Sequence, residues 1–325
     1  MGLYNLEKIF DPKSVAVIAT PMATVKGIVK ECVEAGVGGA VIISAGGKEI
    51  GEEGRKIEEE IDREARKGGL RIVGPNCMGI IRPGRNLNAS FAARMPYRGN
   101  LAFISQSGAI CSAMLDLSLK EKMGFSYFVS IGSMLDVDFG DLVDYLGDDS
   151  EVKSILLYIE SLTNIRKFMS AAREVSRVKP VVVLKAGRSP AGAKAAASHT
   201  GAMAGEDAVY DAAFKRAGIA RVRTLEDFFD CAELLAKQSP PRGPRMVILT
   251  NSGGPGVMAA DLELLERALD VAVDYGIKKV EGDVLAENEQ MLGLGRQLGF
   301  KIKRNGSAGD YVLTIEPGES VASNQ

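Results

Sequence analysis

A single histidine occurs in the 325 residues of this chain, in the run AGAKAAASHTGAMAGED at 191–207. Around His199 stand Ser198, Thr200 and Gly201, all small, so no bulky sequence neighbour would cover the ring. An imidazole reachable in this way can accept a phosphoryl group on one nitrogen, provided that a hydrogen bond orients the other. A carboxylate at a strand end would serve as that orienting group. The run SILLYIES offers Glu160, a charge placed immediately after a strand pattern. Each residue also has a plainer reading, as a loop histidine without a task and as a solvated strand-end acid. Residue types and spacing leave both readings open.

Three further turns follow strand-like runs, where ligands of open α/β sheets bind and where helix N-termini point free N–H groups outward. In SQSGA (105–109), Ser105, Ser107 and Gly108 open a helical stretch with hydroxyls and unhindered amides. A phosphate placed there would meet the positive end of the helix, although simple N-capping by serine accounts for the same residues. In GPNCMG (74–79), the turn Pro75, Asn76, Cys77, Gly79 loses one donor at the proline and permits close backbone approach at the glycine. Nothing adjacent to Cys77 would depress its pKa, so it reads as a small buried residue and not as a nucleophile. NSGGPG (251–256) after MVILT is a third strand-to-helix glycine turn and carries no assignment by itself.

The elements that must position these turns are legible as alternating patterns. Runs with strand character lie at 14–18, 40–44, 70–73, 101–105, 125–131, 154–159, 180–184 and 246–250. Several are apolar at successive positions, as expected of parallel strands covered on both faces. Amphipathic stretches at 52–67, 108–121, 163–177, 206–217 and 225–237 separate them, which predicts doubly wound sheets. The polar, turn-rich segment 82–100 is expected to link a first α/β unit to a second, and QSPPRGPR (238–245) marks another break. Beyond 262 the pattern changes to a long helix signal at 258–275, the run IKKVEGDVL, a helix in ENEQMLGLGRQLG, and short strand signals at 300–303 and 311–315.

Composition narrows the classes of function. With 40 Lys+Arg against 42 Asp+Glu the net charge is −2, which provides no general attraction to nucleic acid or membrane. Four cysteines without CxxC pairing and one histidine argue against an all-protein zinc site and for reduced thiols. The N-terminus lacks an apolar signal region and no run reaches membrane-spanning length, so a cytoplasmic protein is expected. At about 150 residues per domain, two domains are the default.

In their order and spacing, GPNCMG, ISQSGA, LLYIES, KAGRSPAGAKAAASHTGAMAGED and LTNSGGPG closely resemble the NDP-forming acyl-CoA synthetases. That family includes ADP-forming acetate–CoA ligase and is related to the α subunit of succinyl-CoA synthetase. The resemblance covers about residues 5–262. It implies that His199 is transiently phosphorylated and that Glu160 orients or stabilises it. It implies that Ser107 and Gly108, with Ser105, Thr200 and Gly201, receive the phosphate, and that Pro75, Asn76, Cys77 and Gly79 lie near the thiol end of coenzyme A. The implied reaction converts acyl-CoA, phosphate and ADP into acid, CoA and ATP, reversibly, through acyl phosphate and phosphohistidine. The implied partner is an ATP-grasp β-type subunit or domain holding ADP or ATP with Mg, since this chain shows no second nucleotide-binding module. A small carboxylic acid and CoA are the other reactants, and an oligomer is expected.

Two departures qualify the resemblance. Family members carry a glycine-rich nucleotide loop after the first strand, then two more strand–helix units. Here SVAVI runs directly into ATPMATV, and neither GVGG (36–39) nor GGKEIG (46–51) sits in a GxGxxG frame. After NSGGPGVMAADLELL the chain instead resembles the end of a GNAT acetyltransferase, with Asn288 on the helix near CoA, as in bacterial protein lysine acetyltransferases. The pyrophosphate-binding turn of a GNAT domain is missing, so acetyl transfer is not expected. The expected fold is α/β. A truncated Rossmann-like CoA-binding domain spans 1–90 and a flavodoxin-like doubly wound domain with the phosphohistidine loop spans 98–238. The start of a second ligase subdomain follows at 244–262, then a partial GNAT-like segment at 263–317. The function expected is that of an acyl-CoA synthetase α-type subunit. The alternatives are a non-catalytic, acyl-CoA-responsive regulatory part of a GNAT acetyltransferase, or an incomplete chain whose fused first strand leaves an exposed sheet edge.

Overall fold

Uninterrupted runs of Val, Ile and Ala need cover on both faces, and in the computed structural model they form parallel strands beneath helices. The structure describes residues 5–188, 207–238, 245–248, 279–284, 289–297, 299–304 and 311–316. The chain divides into two units, Met1–Pro240 and Pro241–Gln325.

The first unit opens with α1 (Glu7–Phe10), β1 (Val15–Ile18), α2 (Met22–Glu34), β2 (Gly39–Ile42), α3 (Glu52–Gly68) and β3 (Arg71–Val73). These strands make a three-stranded parallel sheet in the order β1-β2-β3. Val25 and Val29 of α2 pack with Ile61 and Ala65 of α3 against Ala40, Ile42 and Ile72. Helix α3 starts with Glu52 and Glu53, ends with Arg66 and Lys67, and stops at Gly69 with φ 64°. Those charges complement its dipole, and the left-handed glycine closes its last turn. Strand β1 is an edge, with Val17 47% exposed.

A second sheet of the same unit follows from β4 (Gly79–Arg82), β5 (Leu87–Ser90), β6 (Tyr97–Ser105), β7 (Gly124–Ser130), β8 (Ser154–Ile159), β9 (Val181–Lys185) and β10 (Ala220–Val222). The order is β10-β9-β8-β6-β7-β4-β5. Strands β6 to β10 are mutually parallel, while β4 is antiparallel to β7 and β5. Helices α4 (Gly108–Lys120), α5 (Phe139–Asp148), α6 (Ile165–Val175), α7 (Asp207–Ala217) and α8 (Leu225–Lys237) cover it. Leu142 of α5, Phe168 of α6 and Phe214 of α7 belong to one core cluster; Met114 of α4 and Phe228 of α8 belong to the other. This is the doubly wound, flavodoxin-like arrangement.

Residues 82–100 join the three-stranded sheet to the parallel strands of the second, and they do so as ordered structure. They supply most of the β4–β5 hairpin and the start of β6. The hairpin lies at the sheet edge, where polar Asn88 and Ser90 can remain in water while Ala89 is buried. Polarity at an edge thus has the same sequence signature as a linker. Arg82 anchors the hairpin: its guanidinium donates to Phe10 O (3.1 Å), lies 3.5 Å from Asp149 and 3.3 Å from Glu151, and covers the Tyr127 ring.

The second unit contains β11 (Arg245–Ile248), β12 (Lys279–Val284), α9 (Glu289–Gln297), β13 (Lys301–Arg304) and β14 (Tyr311–Ile315). Its sheet runs β11-β12-β14-β13, with β11 parallel to β12 and the remaining pairs antiparallel. Val284, Leu292 and Leu313 form its core. Among the described residues, no helix is long and apolar enough to cross a membrane.

Candidate functional site

Four strand ends and one short turn of the first unit converge on a cavity of about 30 Å³. Its walls are Lys48, Asn76, Gln106, Gly132, Ser133, Glu160 and Ser161. A single water needs about 10–15 Å³ on this measure, so the space suits a group of a few heavy atoms.

Asn76 comes from the turn after β3. Gly74 has φ 102°, and a Cβ there would lie 2.3 Å from Ile42 O, so only glycine lets this turn cross the end of β2. Gly74–Pro75 is a cis peptide and Asn76 has φ 54°. The turn is stitched to the one after β7 by Ser133 N donating to Pro75 O (2.8 Å) and Leu135 N to Gly74 O (2.9 Å). Gly132 belongs to that contact, since a Cβ there would meet Pro75 O at 2.1 Å.

Cys77 is buried and its thiol donates to Ile42 O at 3.2 Å. Burial pushes this thiol up to about 12, which leaves essentially no thiolate at neutral pH. Gly79 opens β4. A Cβ there would lie 2.3 Å from Ala89 O, so the backbone approaching this glycine is that of β5. The structure therefore brings Asn76 of GPNCMG to the cavity wall, while Cys77 and Gly79 face protein.

Gln106 follows β6 in the SQSGA turn. Ser105 is fully buried; its hydroxyl accepts from Ser107 N (3.0 Å) and donates to Ser107 O (2.9 Å), which braces the turn. Ser107 is the N-cap of α4 and accepts from Ile110 N. Among the described residues, a Cβ at Gly108 would meet nothing closer than Met78 Cβ at 4.0 Å, so none of them crowds the first turn of the helix. That combination of uncrowded turn, capping hydroxyl and positive helix end suits an anion.

Glu160 and Ser161 follow β8, the neighbour of β6. Glu160 also exerts its charge on two neighbours. It adds to burial in raising Tyr158. Burial lowers Lys185, and the charges of Asp207 and Glu160 partly oppose that shift. Lys185 ends β9 directly beside Ile159, and its ammonium lies over the Tyr210 ring of α7 and donates to Ala186 O.

Lys48 enters from the turn Lys48–Ile50 between β2 and α3, and its ammonium donates to Ser133 O. Burial lowers its pKa, opposed by the carboxylate of Glu58, which accepts from Lys48 N at 3.0 Å.

His199, Thr200, Gly201 and Asn288 lie outside the described residues. The chain flanking the histidine segment is described on both sides. Arg188 Nε is 3.7 Å from Asp207 Oδ2, and Arg221 pairs with both Asp207 and Asp211.

Of the cavity-lining residues, Lys48, Gln106, Gly132, Ser133 and Ser161 were not singled out from the sequence. Gln106 and Ser161 are immediate neighbours of residues that were, so the motif was found but not its contributing side chains. GGKEIG drew attention for its glycines, whereas the lysine between them reaches the cavity.

Comparison with known proteins adds independent findings. Residues 98–235 match the succinyl-CoA ligase like flavodoxin domain family, and residues 4–83 match a CoA binding domain family. The chain is 47% identical over 257 residues to the acetate–CoA ligase [ADP-forming] II subunit alpha of Pyrococcus furiosus, covering 79% of this chain and 56% of that protein. It is 43% identical over 268 residues to the acetate–CoA ligase [ADP-forming] of Methanocaldococcus jannaschii, covering 82% of this chain and 36% of that protein. Among solved structures, the dinucleotide forming acetyl-coenzyme A synthetase 1 of Ca. Korarchaeum cryptofilum, in complex with phosphate and ADP, aligns with TM-score 0.72 at 42% identity. That alignment covers 76% of this chain and 53% of the other. The chain thus spans about half the length of its Pyrococcus and Korarchaeum relatives and about a third of the Methanocaldococcus one.

Proposed function

This chain belongs to the NDP-forming acyl-CoA synthetase α-subunit-like family, and from that premise we propose that it carries a phosphoryl group between acyl phosphate and ADP on His199. One observation carries the reading: turns far apart in sequence place Asn76, Gln106 and Glu160 around one small cavity at the carboxyl ends of β3, β6 and β8. In the proposed cycle a phosphate oxygen attacks the acyl carbonyl and the CoA thiolate leaves, forming acyl phosphate. An imidazole nitrogen then takes the phosphoryl group and releases the carboxylate. Finally a terminal oxygen of ADP attacks phosphorus, the imidazole departs, and ATP forms.

Glu160 is the carboxylate that orients the ring, and its charge stabilises the positive charge that develops on the imidazole as one nitrogen bonds phosphorus. Ser105, Ser107 and Gly108, with Thr200 and Gly201, provide hydroxyls and amides for the phosphoryl oxygens. The preorganised cap at Ser107 and the uncrowded turn at Gly108 support this role. Pro75, Asn76, Cys77 and Gly79 form the turn on which the thiol end of CoA rests, with Asn76 as its contact and the other three holding the turn. The turn after β1 contains no glycine, and its Thr20 N–H already donates to Ser44 Oγ at 3.1 Å. It therefore offers no cradle for the CoA diphosphate, which must be held elsewhere.

The reading requires an ATP-grasp β-type partner carrying ADP or ATP with Mg, a small carboxylic acid as substrate, and a cytoplasmic setting. The test is acid-labile labelling: ATP with such a partner should phosphorylate the wild-type chain on His199. A His199→Asn protein that labelled equally well would refute the proposal.

A second reading concerns residues 263–317, which we infer to be a GNAT-like fragment joined to ligase residues 244–262, with Asn288 toward CoA. The separate sheet carrying α9, in its own unit, supports a module distinct from the two preceding sheets. If the chain senses acyl-CoA without turnover, calorimetry will give submillimolar acetyl-CoA binding with no labelling of His199.

A further inference from the structure

Gln106 is buried, at 8% exposure, although its carboxamide is polar at both ends. Its Oε1 accepts two main-chain bonds, from Glu160 N at 2.6 Å and Ser161 N at 2.9 Å. Its Nε2 donates to Ser161 Oγ at 3.2 Å. Its own N–H donates to Tyr158 O at 3.2 Å, so the residue is fixed to β8 by backbone as well as side chain. Oxygen must face the two N–H donors and nitrogen must face the hydroxyl, so the amide has one orientation.

We propose that Gln106 is the positioning residue of Glu160: it sets the turn after β8 so that the carboxylate stands at the cavity. The same bonds have a second consequence. Two successive main-chain N–H groups converging on one point make an anion nest. A neutral amide oxygen fills this one, so an incoming phosphate is directed away from Glu160 to the uncrowded first turn of α4. Glutamine suits both tasks, because it satisfies the two donors without adding negative charge beside the acid. Leucine would leave both amides unpaired in a partly buried site. The catalytic side of this inference rests on the role proposed for Glu160, while the structural side stands without it.

The test uses the full chain in two arms. The first is amide hydrogen exchange, which needs no activity. In Gln106→Leu the Glu160 and Ser161 amides should exchange about tenfold faster or more, while the amides within β8 keep their protection. Gln106→Glu retains the double acceptor and should restore protection. Unchanged exchange at 160 and 161 in the leucine variant, or equal loss along β8, overturns the inference. The second arm measures His199 labelling with ATP and the ATP-grasp partner. Gln106→Leu should slow labelling about 10- to 100-fold with the KM for ATP unchanged, and should cost nothing further in a Glu160→Gln background. Equal losses in both backgrounds overturn the positioning role. Absence of labelling in the wild type would sink the phosphohistidine reading instead, and exchange would still decide Gln106.

Discussion

Arg188 and Asp207 face each other across the flanks of the His199 segment, Nε to Oδ2 at 3.7 Å. One residue follows β9 and the other starts α7, so the chain leaves the sheet and rejoins it at a single ion pair. Arg221, only 7% exposed in its side chain, adds bonds to Asp207 and Asp211. This clasp fixes the position of the two described ends, Arg188 and Asp207, relative to one another.

Replacing Asp207 tests the clasp. Asp207→Asn removes the charge that both arginines share, although Asp211 still pairs with Arg221. Stability should fall by about 1–2 kcal/mol, read as a lower urea midpoint at constant slope. His199 labelling should slow more than that loss predicts from unfolding alone. A variant as fast as wild type would show that the clasp has no part in phosphorylation.

Glu160→Gln tests the orienting acid. Removing one preorganised electrostatic contact of this kind typically costs about 10²–10³ in rate. The expected outcome is a loss of that order in labelling with unchanged thermal stability, because Glu160 follows β8 instead of lying within it. Full-rate labelling would exclude it as the orienting group.

The thiols make a chemical prediction. Burial raises all four cysteines, with Cys77 and Cys111 each pushed up to about 12. Cys231 alone is half-buried and the other three are buried. A disulfide reagent at pH 8 should therefore modify Cys231 first and reach Cys77 and Cys111 only as the protein unfolds. Rapid labelling of Cys77 with retained fold would contradict its assignment as a buried support of the turn.

Lys185 predicts a pH dependence of known sign. Burial is the main cause of its lowered pKa; Asp207 raises it, Arg221 lowers it and Glu160 raises it. With the folded pKa below the ordinary lysine value of 10.5, the unfolded chain binds more protons in the window between the two. The contribution of Lys185 to stability therefore rises with pH through that window. Lys185→Met should abolish this rise, measured by urea denaturation on the alkaline side of neutrality. A wild-type increase that persists unchanged in the variant would assign it to another group.

Arg82 is a structural control that does not line the cavity. It is 5% exposed and holds Phe10 O, Asp149 and Glu151 while covering Tyr127. Arg82→Ala leaves half-buried Asp149 and the Phe10 carbonyl without that cation and should cost about 1–3 kcal/mol. A urea midpoint within error of wild type would show that solvent replaces the lost bonds.

Sequence patterns specified most elements of the first unit. Runs such as SILLYI and the amphipathic stretch 52–67 are local: strand burial and helix amphipathicity repeat every few residues, so the chain declares them without knowing its neighbours. The segment 82–100 has the composition of a connection, and its hairpin is not legible there because edge strands tolerate the polar residues that linkers also use. Chemistry was equally legible where a residue type is rare, as with the lone histidine, or placed after a strand, as with Glu160.

Partnerships between those residues were not local. Gln106 lies 54 positions from Glu160 in the chain, and nothing in SQSGA announces which turn its amide will hold. The bond exists because β8 is inserted beside β6, an order set by burial of all seven strands together. Lys48 similarly reaches the cavity only because the small parallel sheet packs where Ser133 closes its turn. The sequence by itself determined the element types, the parallel α/β class and the residues able to do chemistry, since each follows from side-chain type and short-range period. Only the tertiary structure decided which turns meet, which amide holds the acid and which motif residues face protein, because strand order is a global packing outcome.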